Sequence, residues 1–182
     1  MSDLFVALTA HDPLSRFDTT LRVLKEYDSF AGYVEIEIFI DYDHIADLDE
    51  FQSRIDNEIK KAHVMTTVAD GTYKGYELCW AHKPTFKDRI RSLAFDAYIY
   101  TESDMLLTQD NFDYWYDEKD GLKQKNLEPG FCRFERAGSM KIPFDNYRKW
   151  RVTGPTPSCW GNIPHNGQFY QTPYRVDQLG YF

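Results

Sequence analysis

The chain has 182 residues, enough for one domain with its own core, and 21 Lys+Arg against 29 Asp+Glu give a net charge of −8. This acidic balance excludes broad nucleic-acid binding, which requires a basic footprint. No apolar run approaches the roughly 20 residues of a membrane span, and no secretory leader is evident. We therefore expect a cytoplasmic protein with a single domain over residues 1–182, or one domain of a longer polypeptide.

Apolar residues recur with alternating strand and helix periods along the chain. Phe17, Leu21 and Leu24 have helical spacing, whereas apolar residues alternate with Glu35 and Glu37 as in a strand. In chain order the patterns predict a strand at 4–9, a helix from 17 that Gly32 ends, a strand at 33–40, a helix from 47 to 59, a strand at 64–69, a helix at 85–93, a strand at 95–100, a helix at 109–117 and a strand at 127–134.

This alternation predicts an α/β fold with a mostly parallel sheet flanked by helices. Such sheets bind ligands beyond the carboxyl ends of their strands. Asp47 and Glu50 have the spacing of a capping box at the start of the second helix. Residues 154–182 are rich in Pro, Gly, Asn, Gln and Tyr without a period, so we expect an irregular tail that completes the site.

The motifs of several common sites are missing from the sequence. Cys79, Cys132 and Cys159 are odd in number and widely spaced, which argues against a disulfide framework and a cysteine zinc site. No Gly-x-Gly-x-x-Gly follows the first strand, and there is neither a Walker A loop nor a Gly-x-Ser-x-Gly elbow. The phosphates of a bound nucleotide would therefore be neutralised in another way, for which a divalent cation is the obvious candidate.

An acidic triplet, Glu102-Ser103-Asp104, follows the predicted strand at 95–100. Residues two apart on an extended chain point the same way, about 6–7 Å apart at Cα, so the two carboxylates would converge on one ion. Oxygen ligands suit Mn²⁺ or Mg²⁺. A pair of solvated charges at a strand end is an equally good interpretation of the triplet alone, and its position at the end of an expected central strand favours the metal site.

The triplet and the Leu-Leu-Thr-x-x-Asn-Phe-x-x-Trp that follows it resemble the Asp-x-Asp region of GT-A glycosyltransferases. The resemblance is greatest to the small group related to the amino-terminal glycosyltransferase domain of a large chlorella-virus protein. Phe5–Pro13, Leu78–Lys83 and Leu127–Glu135 match further pieces in order, so the resemblance spans most of the chain. The first acid is Glu102 rather than Asp, which leaves Asp104 as the stronger candidate ligand.

The resemblance implies a GT-A (Rossmann-like) fold and a metal-dependent sugar transfer. A nucleotide-sugar donor, by default a UDP-sugar, would supply the sugar, and a hydroxyl of a glycan or glycoprotein would accept it, with Mn²⁺ or Mg²⁺ as the cofactor. If the chain is viral, its location would be the host cytoplasm. Carried over by position, the donor would contact Thr9, Ala10, His11, Asp12, Asp41, His82, Lys83, Arg91, Glu102 and Ser103.

The resemblance also implies the metal ligands and leaves the general base open. Asp104, with Glu102 and a late histidine, His165, would hold the ion. If the reaction inverts the anomeric centre, a carboxylate takes the proton of the acceptor. Candidates are Glu135, Asp113 and Asp145, of which Glu135 is favoured because it ends a predicted strand.

Ordinary structural interpretations exist for most of these residues. His11 and Asp12 precede Pro13 and would serve equally well as a helix cap. Asp41 lies in a turn-like Asp-Tyr-Asp, Lys83 and Arg91 are typical solvated helix charges, and His165 lies in a turn-like Pro-His-Asn-Gly. Two other functions also remain open, a sugar nucleotidyltransferase and a non-catalytic carbohydrate-binding module. The first requires a Gly-rich basic loop that Ala10-His-Asp-Pro-Leu14 lacks.

Overall fold

Strands and helices alternate through the part of the chain that the computed structural model describes, residues 2–124 and the backbone of four later strands. Two 3₁₀ segments, Tyr42–Asp47 and Gly75–Trp80, follow the second and third strands. The elements in chain order are β1 Leu4–Ala10, α1 Phe17–Ser29, β2 Val34–Ile40, α2 Leu48–Glu58, β3 His63–Val68, α3 Lys83–Ser92, β4 Ala97–Glu102, α4 Gln109–Lys123, β5 Phe134–Ala137, β6 Met140–Pro143, β7 Asn162–His165 and β8 Gln168–Gln171.

The first four strands form one parallel sheet in the order β3-β2-β1-β4. Leu4 pairs with Val34 of β2 and with Ala97 of β4, so β1 has a parallel neighbour on each side. This arrangement confirms the predicted α/β class. The sequence placed β4 at the centre of the sheet, which is wrong for the described residues: β4 pairs with β1 alone and is an outer strand.

Helices cover both faces of this sheet. On one face, Gln52 of α2 accepts a hydrogen bond of 2.7 Å from Thr66 of β3, and the ring of Phe17 in α1 meets that of Phe51 in α2 edge-on, with centroids 5.8 Å apart. On the other face, the Phe86 ring of α3 lies 5.8 Å from that of Phe5 in β1. Because both faces are covered, β1 and β2 are buried along their whole length, as parallel strands usually are.

An aromatic core fills the space between the sheet and α3. Phe95 was predicted to begin a strand but packs instead in this core, with its ring 5.5 Å from that of Phe5, so β4 begins only at Ala97. Burial of a large ring outweighs its strand propensity here. The buried members of the core are Phe5, Ala7, Phe39, Ala69, Leu78 and Ala81, and Tyr73, Phe86, Phe95 and Tyr98 pack around them.

Two glutamates of β2 are buried beneath α3. The alternating sequence correctly separated Glu35 and Glu37 from the aliphatic face, and the structure shows that their own face is also covered. Arg89 of α3 pairs with Glu35 at 2.5 Å, and Thr67 donates a 3.0 Å hydrogen bond to Glu37. Burial raises the pKa of Glu37, although Thr67 and Arg89 act in the opposite direction.

The expected capping box of α2 is not formed. Asp47 is the N-cap residue, but its carboxylate makes no hydrogen bond to the helix. It contacts Nδ1 of His44 at 3.0 Å instead, since the preceding 3₁₀ segment brings that ring within reach. The helix itself was correctly predicted, because the apolar stripe that includes Phe51 and Ile55 defines it independently of the cap.

Two hairpins occupy part of the chain after α4. Strands β5 and β6 pair antiparallel, and so do β7 and β8. The prediction of an irregular tail over 154–182 is therefore wrong where β7 and β8 lie. Each pair is joined by two residues, Gly138-Ser139 and Asn166-Gly167, and such dipeptides favour tight hairpin turns. Most of the strand predicted at 127–134 lies outside the described residues, as do Cys132 and Cys159.

The chain divides into two compact units, Met1–Phe112 and Asp113–Phe182. The parallel sheet and its first three helices belong to the first unit, and the hairpins belong to the second. Within the described part of the chain, none of the helices has the length and apolar character needed to cross a membrane.

The buried Glu37 predicts a pH-dependent stability. Its pKa is raised by folding, so the folded chain binds the proton more tightly and stability falls as pH rises from the ordinary value of 4.5 through the folded-state value. Glu37→Gln removes that loss. We expect it to raise the melting temperature at pH 8 and to have little effect at pH 4.

Glu58→Gln is the matched control for thermal melts at the two pH values. Hydrogen bonding and the charge of Lys25 lower the pKa of the exposed Glu58, so its ionised form is favoured by folding and its loss gives no gain at pH 8. Equal stabilisation by both substitutions would contradict the assignment of the effect to burial.

Candidate functional site

The order in which the strands are added to the sheet reverses at β1. The chain passes from β1 through β2 to β3 on one side, then crosses back to place β4 on the other side. The resulting order 3-2-1-4 is that of the first four strands of dinucleotide-binding folds, whose ligands lie in the crevice where neighbouring strands diverge. The corresponding position in this chain, called the crevice below, lies beyond Ala10, at the end of β1, and Glu102, at the end of β4.

Hydrogen bonds join β1 and β4 at this crevice. Thr9 pairs in register with Glu102, and the backbone N–H of Ser103 donates to the Thr9 carbonyl at 2.9 Å. The hydroxyl groups of Thr9 and Tyr100 lie 3.2 Å apart. Thr9 and Ser103 are buried, so the crevice floor is a fixed polar surface that includes three of the residues predicted from the resemblance.

Tyr100 is a member of this floor that the sequence did not single out. Burial raises its pKa, and the carboxylate of Glu102 acts in the same direction through its charge and a hydrogen bond, while the bond with Thr9 opposes both. The phenol therefore stays protonated and available as a donor at neutral pH. One signal was present in the sequence: Tyr100 and Glu102 are two apart on a strand and so lie on the same face.

The imidazole of His82 stacks on the ring of Tyr100. The two rings stack with centroids 4.2 Å apart at 23°, and Phe86 meets the other edge of the imidazole. Burial lowers the pKa of His82, and the positive charge of Lys83 lowers it further, whereas the backbone of Cys79 acts to raise it. The net pKa is below the ordinary value of 6.5, so the ring is neutral near pH 7. Its Nδ1 is buried and has no hydrogen-bond partner among the described residues.

The acidic triplet is bent rather than extended. The Met105 N–H donates to the Glu102 carbonyl at 2.9 Å, which closes a turn with Ser103 and Asp104 at its centre. Thr101 secures the turn through its hydroxyl, which donates to the Met105 carbonyl at 3.1 Å. The expected parallel alignment of the two carboxylates therefore does not hold, because β4 ends at Glu102. Asp104 is exposed on the turn.

Asp41 directly follows β2 and accepts hydrogen bonds from two loops. Its Oδ2 accepts from the Gly75 N–H at 3.0 Å and its Oδ1 accepts from the Asp43 N–H at 3.2 Å. Burial raises the pKa of Asp41, but these bonds together with Lys74 and His11 outweigh it and lower the pKa overall. Both carboxylate oxygens thus have a structural role, whatever additional contact a ligand makes.

The loop after β1 contains a residue in an unusual backbone conformation. Asp12 has a φ of 49°, in the left-handed region that aspartate tolerates better than most residues, and its carbonyl accepts from the Arg16 N–H. The cap interpretation of His11 and Asp12 does not hold, since α1 begins after Arg16 without a side-chain cap. A hydrogen bond from Ser15 lowers the pKa of the Asp12 carboxyl, which therefore stays ionised beside the crevice.

The two basic candidates on α3 lie at opposite ends of that helix. Lys83 is its first residue and places its ammonium 3.9 Å from the centre of the Trp80 ring. Arg91 is exposed in the last turn, about 12 Å further along at the helical rise. Arg89, close to it on α3, pairs with Glu35 near the start of β2. The structure therefore separates Arg91 from the crevice residues.

The remaining candidates belong to the second unit. Asp113 is exposed on α4. Glu135 pairs with Ile142 inside the β5–β6 hairpin instead of ending a strand, because β5 begins rather than ends at Phe134. His165 is the last residue of β7, described for its backbone only, and Asp145 lies outside the described residues.

The donor set at the crevice suits a hard cation that keeps part of its water shell. No group of three His, Cys, Asp or Glu side chains with metal-binding geometry occurs within the described ranges. Mg²⁺ is usually held by one or two carboxylates plus substrate phosphates rather than by a complete protein cage. Glu102 and Asp104 supply two carboxylates of this chemistry, so an ion held by them would take its remaining ligands from the substrate and water.

Comparison with known proteins gives no match for this chain, either to a protein-family model or to a curated protein. The resemblance to GT-A glycosyltransferases therefore rests on the motifs of the chain itself.

The two hydrogen bonds of Asp41 lead to a local prediction. Asp41→Ala leaves the Gly75 and Asp43 N–H groups without their acceptor, which should cost about 1–3 kcal/mol of unfolding free energy. In hydrogen-exchange experiments we expect the loops around these two amides to exchange faster than in the original chain, while β1 stays protected.

Asp43→Ala is the matched control because it removes only the exposed ion pair with Lys74, worth about 0–1 kcal/mol. If Asp43→Ala increases the exchange rate of the Gly75 amide as much as Asp41→Ala does, the proposed role of Asp41 in holding the two loops is contradicted.

Proposed function

We propose that this protein is a glycosyltransferase that depends on a divalent metal ion and moves a sugar from a nucleoside diphosphate donor, a UDP-sugar by default, to a hydroxyl group of a glycan. The observation that carries the proposal is the polar floor formed by Thr9, Tyr100 and Glu102 at the divergence of β1 and β4. In open parallel sheets this position is the usual ligand site.

The electrostatics of the crevice favour a ligand whose phosphates are neutralised by an ion. The loop from Ala10 to Arg16 has no glycine, so it cannot form the Gly-rich cradle that brings many backbone N–H groups to a phosphate. Glu102 and Asp104 would repel bare phosphate groups. With Mn²⁺ or Mg²⁺ between the carboxylates and the diphosphate, the same two residues become attractive.

A bound ion supplies charge stabilisation for the departing nucleoside diphosphate. The residues of the chain fix the geometry around it. Glu102 and Asp104 would hold the ion, and Tyr100 and Thr9 keep the Glu102 carboxylate within a hydrogen-bonded floor. Lys83 places a positive charge at the start of α3, over the ring of Trp80. For the general base that accepts the acceptor proton, Glu135, Asp113 and Asp145 stay predictions from the sequence, and the reason for favouring Glu135, its place at a strand end, no longer applies.

A panel of ligands tests this function by calorimetry with and without Mn²⁺. We expect UDP and UDP-sugars to bind only with Mn²⁺, and slow hydrolysis of the donor to occur without an acceptor. Asp104→Ala and Glu102→Gln should each weaken Mn²⁺-dependent binding of UDP by at least about ten-fold, because each removes a metal ligand.

Asp88→Ala, an exposed acid of α3, is the control that should bind like the original chain. Tight binding of a nucleoside triphosphate with a sugar 1-phosphate would indicate a nucleotidyltransferase, and binding of glycans without nucleotide would indicate a carbohydrate-binding module. If Asp104→Ala binds UDP with unchanged affinity in the presence of Mn²⁺, the assignment of Asp104 as a metal ligand is contradicted.

A further inference from the structure

Thr101 lies directly before the acidic turn, and its side chain is buried. Its hydroxyl donates to the Met105 carbonyl at 3.1 Å, with the Glu102 carbonyl at 3.4 Å as a longer alternative. The Met105 N–H donates to the Glu102 carbonyl at 2.9 Å. Met105 is therefore held through both its N–H and its C=O, and a side-chain hydrogen bond reinforces the backbone bond that closes the turn.

The chain on either side of the turn is held by other groups. Before it, the Ser103 N–H donates to the Thr9 carbonyl at 2.9 Å. After it, at the start of α4, the Thr108 hydroxyl donates to Oδ1 of Asn111 at 2.9 Å and accepts from the Asn111 N–H at 3.3 Å. We therefore expect loss of the Thr101 hydroxyl to loosen the residues between these two anchors and to leave the anchors in place.

The Thr101 side chain does not belong to the crevice floor. Neighbouring residues of a strand point to opposite faces, so Thr101 lies on the face opposite to Tyr100 and Glu102. Its hydroxyl is directed to backbone carbonyls of the turn. An effect of Thr101 on an ion at the two carboxylates would therefore act through the shape of the turn.

Asp104 is the candidate metal ligand whose position depends on this turn. Its side chain is exposed, so packing contributes little to its position, which follows from the backbone between Ser103 and Met105. Ordering a flexible residue costs conformational entropy, which weakens the binding of any ligand that requires the ordered form. A turn that Thr101 has already closed lowers this entropy cost before an ion binds.

We propose that Thr101 is a positioning residue for the metal site: its hydroxyl holds the turn so that Asp104 can share a divalent cation with Glu102. The inference rests on the proposed function. Thr101 does not bind the ion itself, and its contribution is to the affinity for the ion.

Two substitutions separate the hydroxyl of Thr101 from the rest of its side chain. Thr101→Val keeps the shape and removes the hydroxyl, whereas Thr101→Ser keeps the hydroxyl. Thr20→Val is the matched control, because Thr20 is also buried and its hydroxyl also donates to a backbone carbonyl four residues away, that of Arg16 at 3.3 Å in α1.

The test is a titration of the intact chain with Mn²⁺ at saturating UDP, in which the proton relaxation of water reports the dissociation constant of Mn²⁺. We expect Thr101→Val to weaken Mn²⁺ binding about five-fold, the effect of losing one hydrogen bond, and Thr101→Ser to stay within about two-fold. Thr20→Val should bind Mn²⁺ like the original chain. Without any ligand, hydrogen exchange of the Met105 amide should be faster in Thr101→Val and unchanged in Thr20→Val.

The other outcomes overturn the positioning role or the function on which it rests. Equal weakening by Thr101→Val and Thr20→Val would assign the effect to general stability, and a serine variant as weak as the valine variant would assign it to packing of the methyl group. Unchanged Mn²⁺ affinity in Thr101→Val removes the positioning role and keeps the proposed function. If the original chain binds no Mn²⁺ in the presence of UDP, both are wrong.

Thr101→Ala is the second variant without the hydroxyl, in case Thr101→Val does not fold. If neither variant folds while Thr20→Val does, the hydroxyl serves folding rather than the ion, and the positioning role is contradicted.

Discussion

The structure depends on the complete burial of β1 between two parallel neighbours. Every residue from Leu4 to Ala10 is buried, and the strand pairs with β2 on one side and β4 on the other. A shift of one residue would move every side chain of β1 to the opposite face of the sheet, so packing on both faces fixes the register. The register that places Thr9 opposite Glu102 is therefore set by the core, and the crevice inherits its geometry from packing several residues away.

The helix α3 serves the core and the crevice at once. Phe86 packs on the aromatic core while His82, at the start of the helix, stacks on Tyr100. Further along, Arg89 neutralises Glu35, without which a carboxylate beneath the helix would be buried without a charged partner. The ion pair between Arg89 and Glu35 thus fastens one part of α3 to the sheet, while the start of the same helix lies against Tyr100.

The sequence predicted the helices and strands of the first unit because a single period dominates each of them. The apolar stripe of α1 faces the core, since burial of apolar side chains is what the helical period records, and β2 is a strand as its alternation predicted, although both of its faces are buried. Features that depend on tertiary neighbours were not predictable in the same way. Glu37 is covered because the chain crosses from β3 to β4 through α3, which lies over that face of the sheet. The turn at Ser103 depends on hydrogen bonds that involve Met105. The hairpin beside Asn166-Gly167 was overlooked although its turn signal is present.

The site residues also combine features that the sequence predicted with features that only the structure shows. A motif identified Glu102 and Asp104, but only the structure shows that their surroundings differ. Glu102 belongs to a paired strand and lies beside the half-buried phenol of Tyr100, whereas Asp104 is exposed on a turn closed by one backbone hydrogen bond. An ion held by both would meet one ligand that is already ordered and one that loses freedom on binding. Glu102 therefore fixes where such an ion would lie, and Asp104 adds charge at the cost of its own ordering, so the two acids are unequal partners for a physical reason that their spacing in the sequence does not contain.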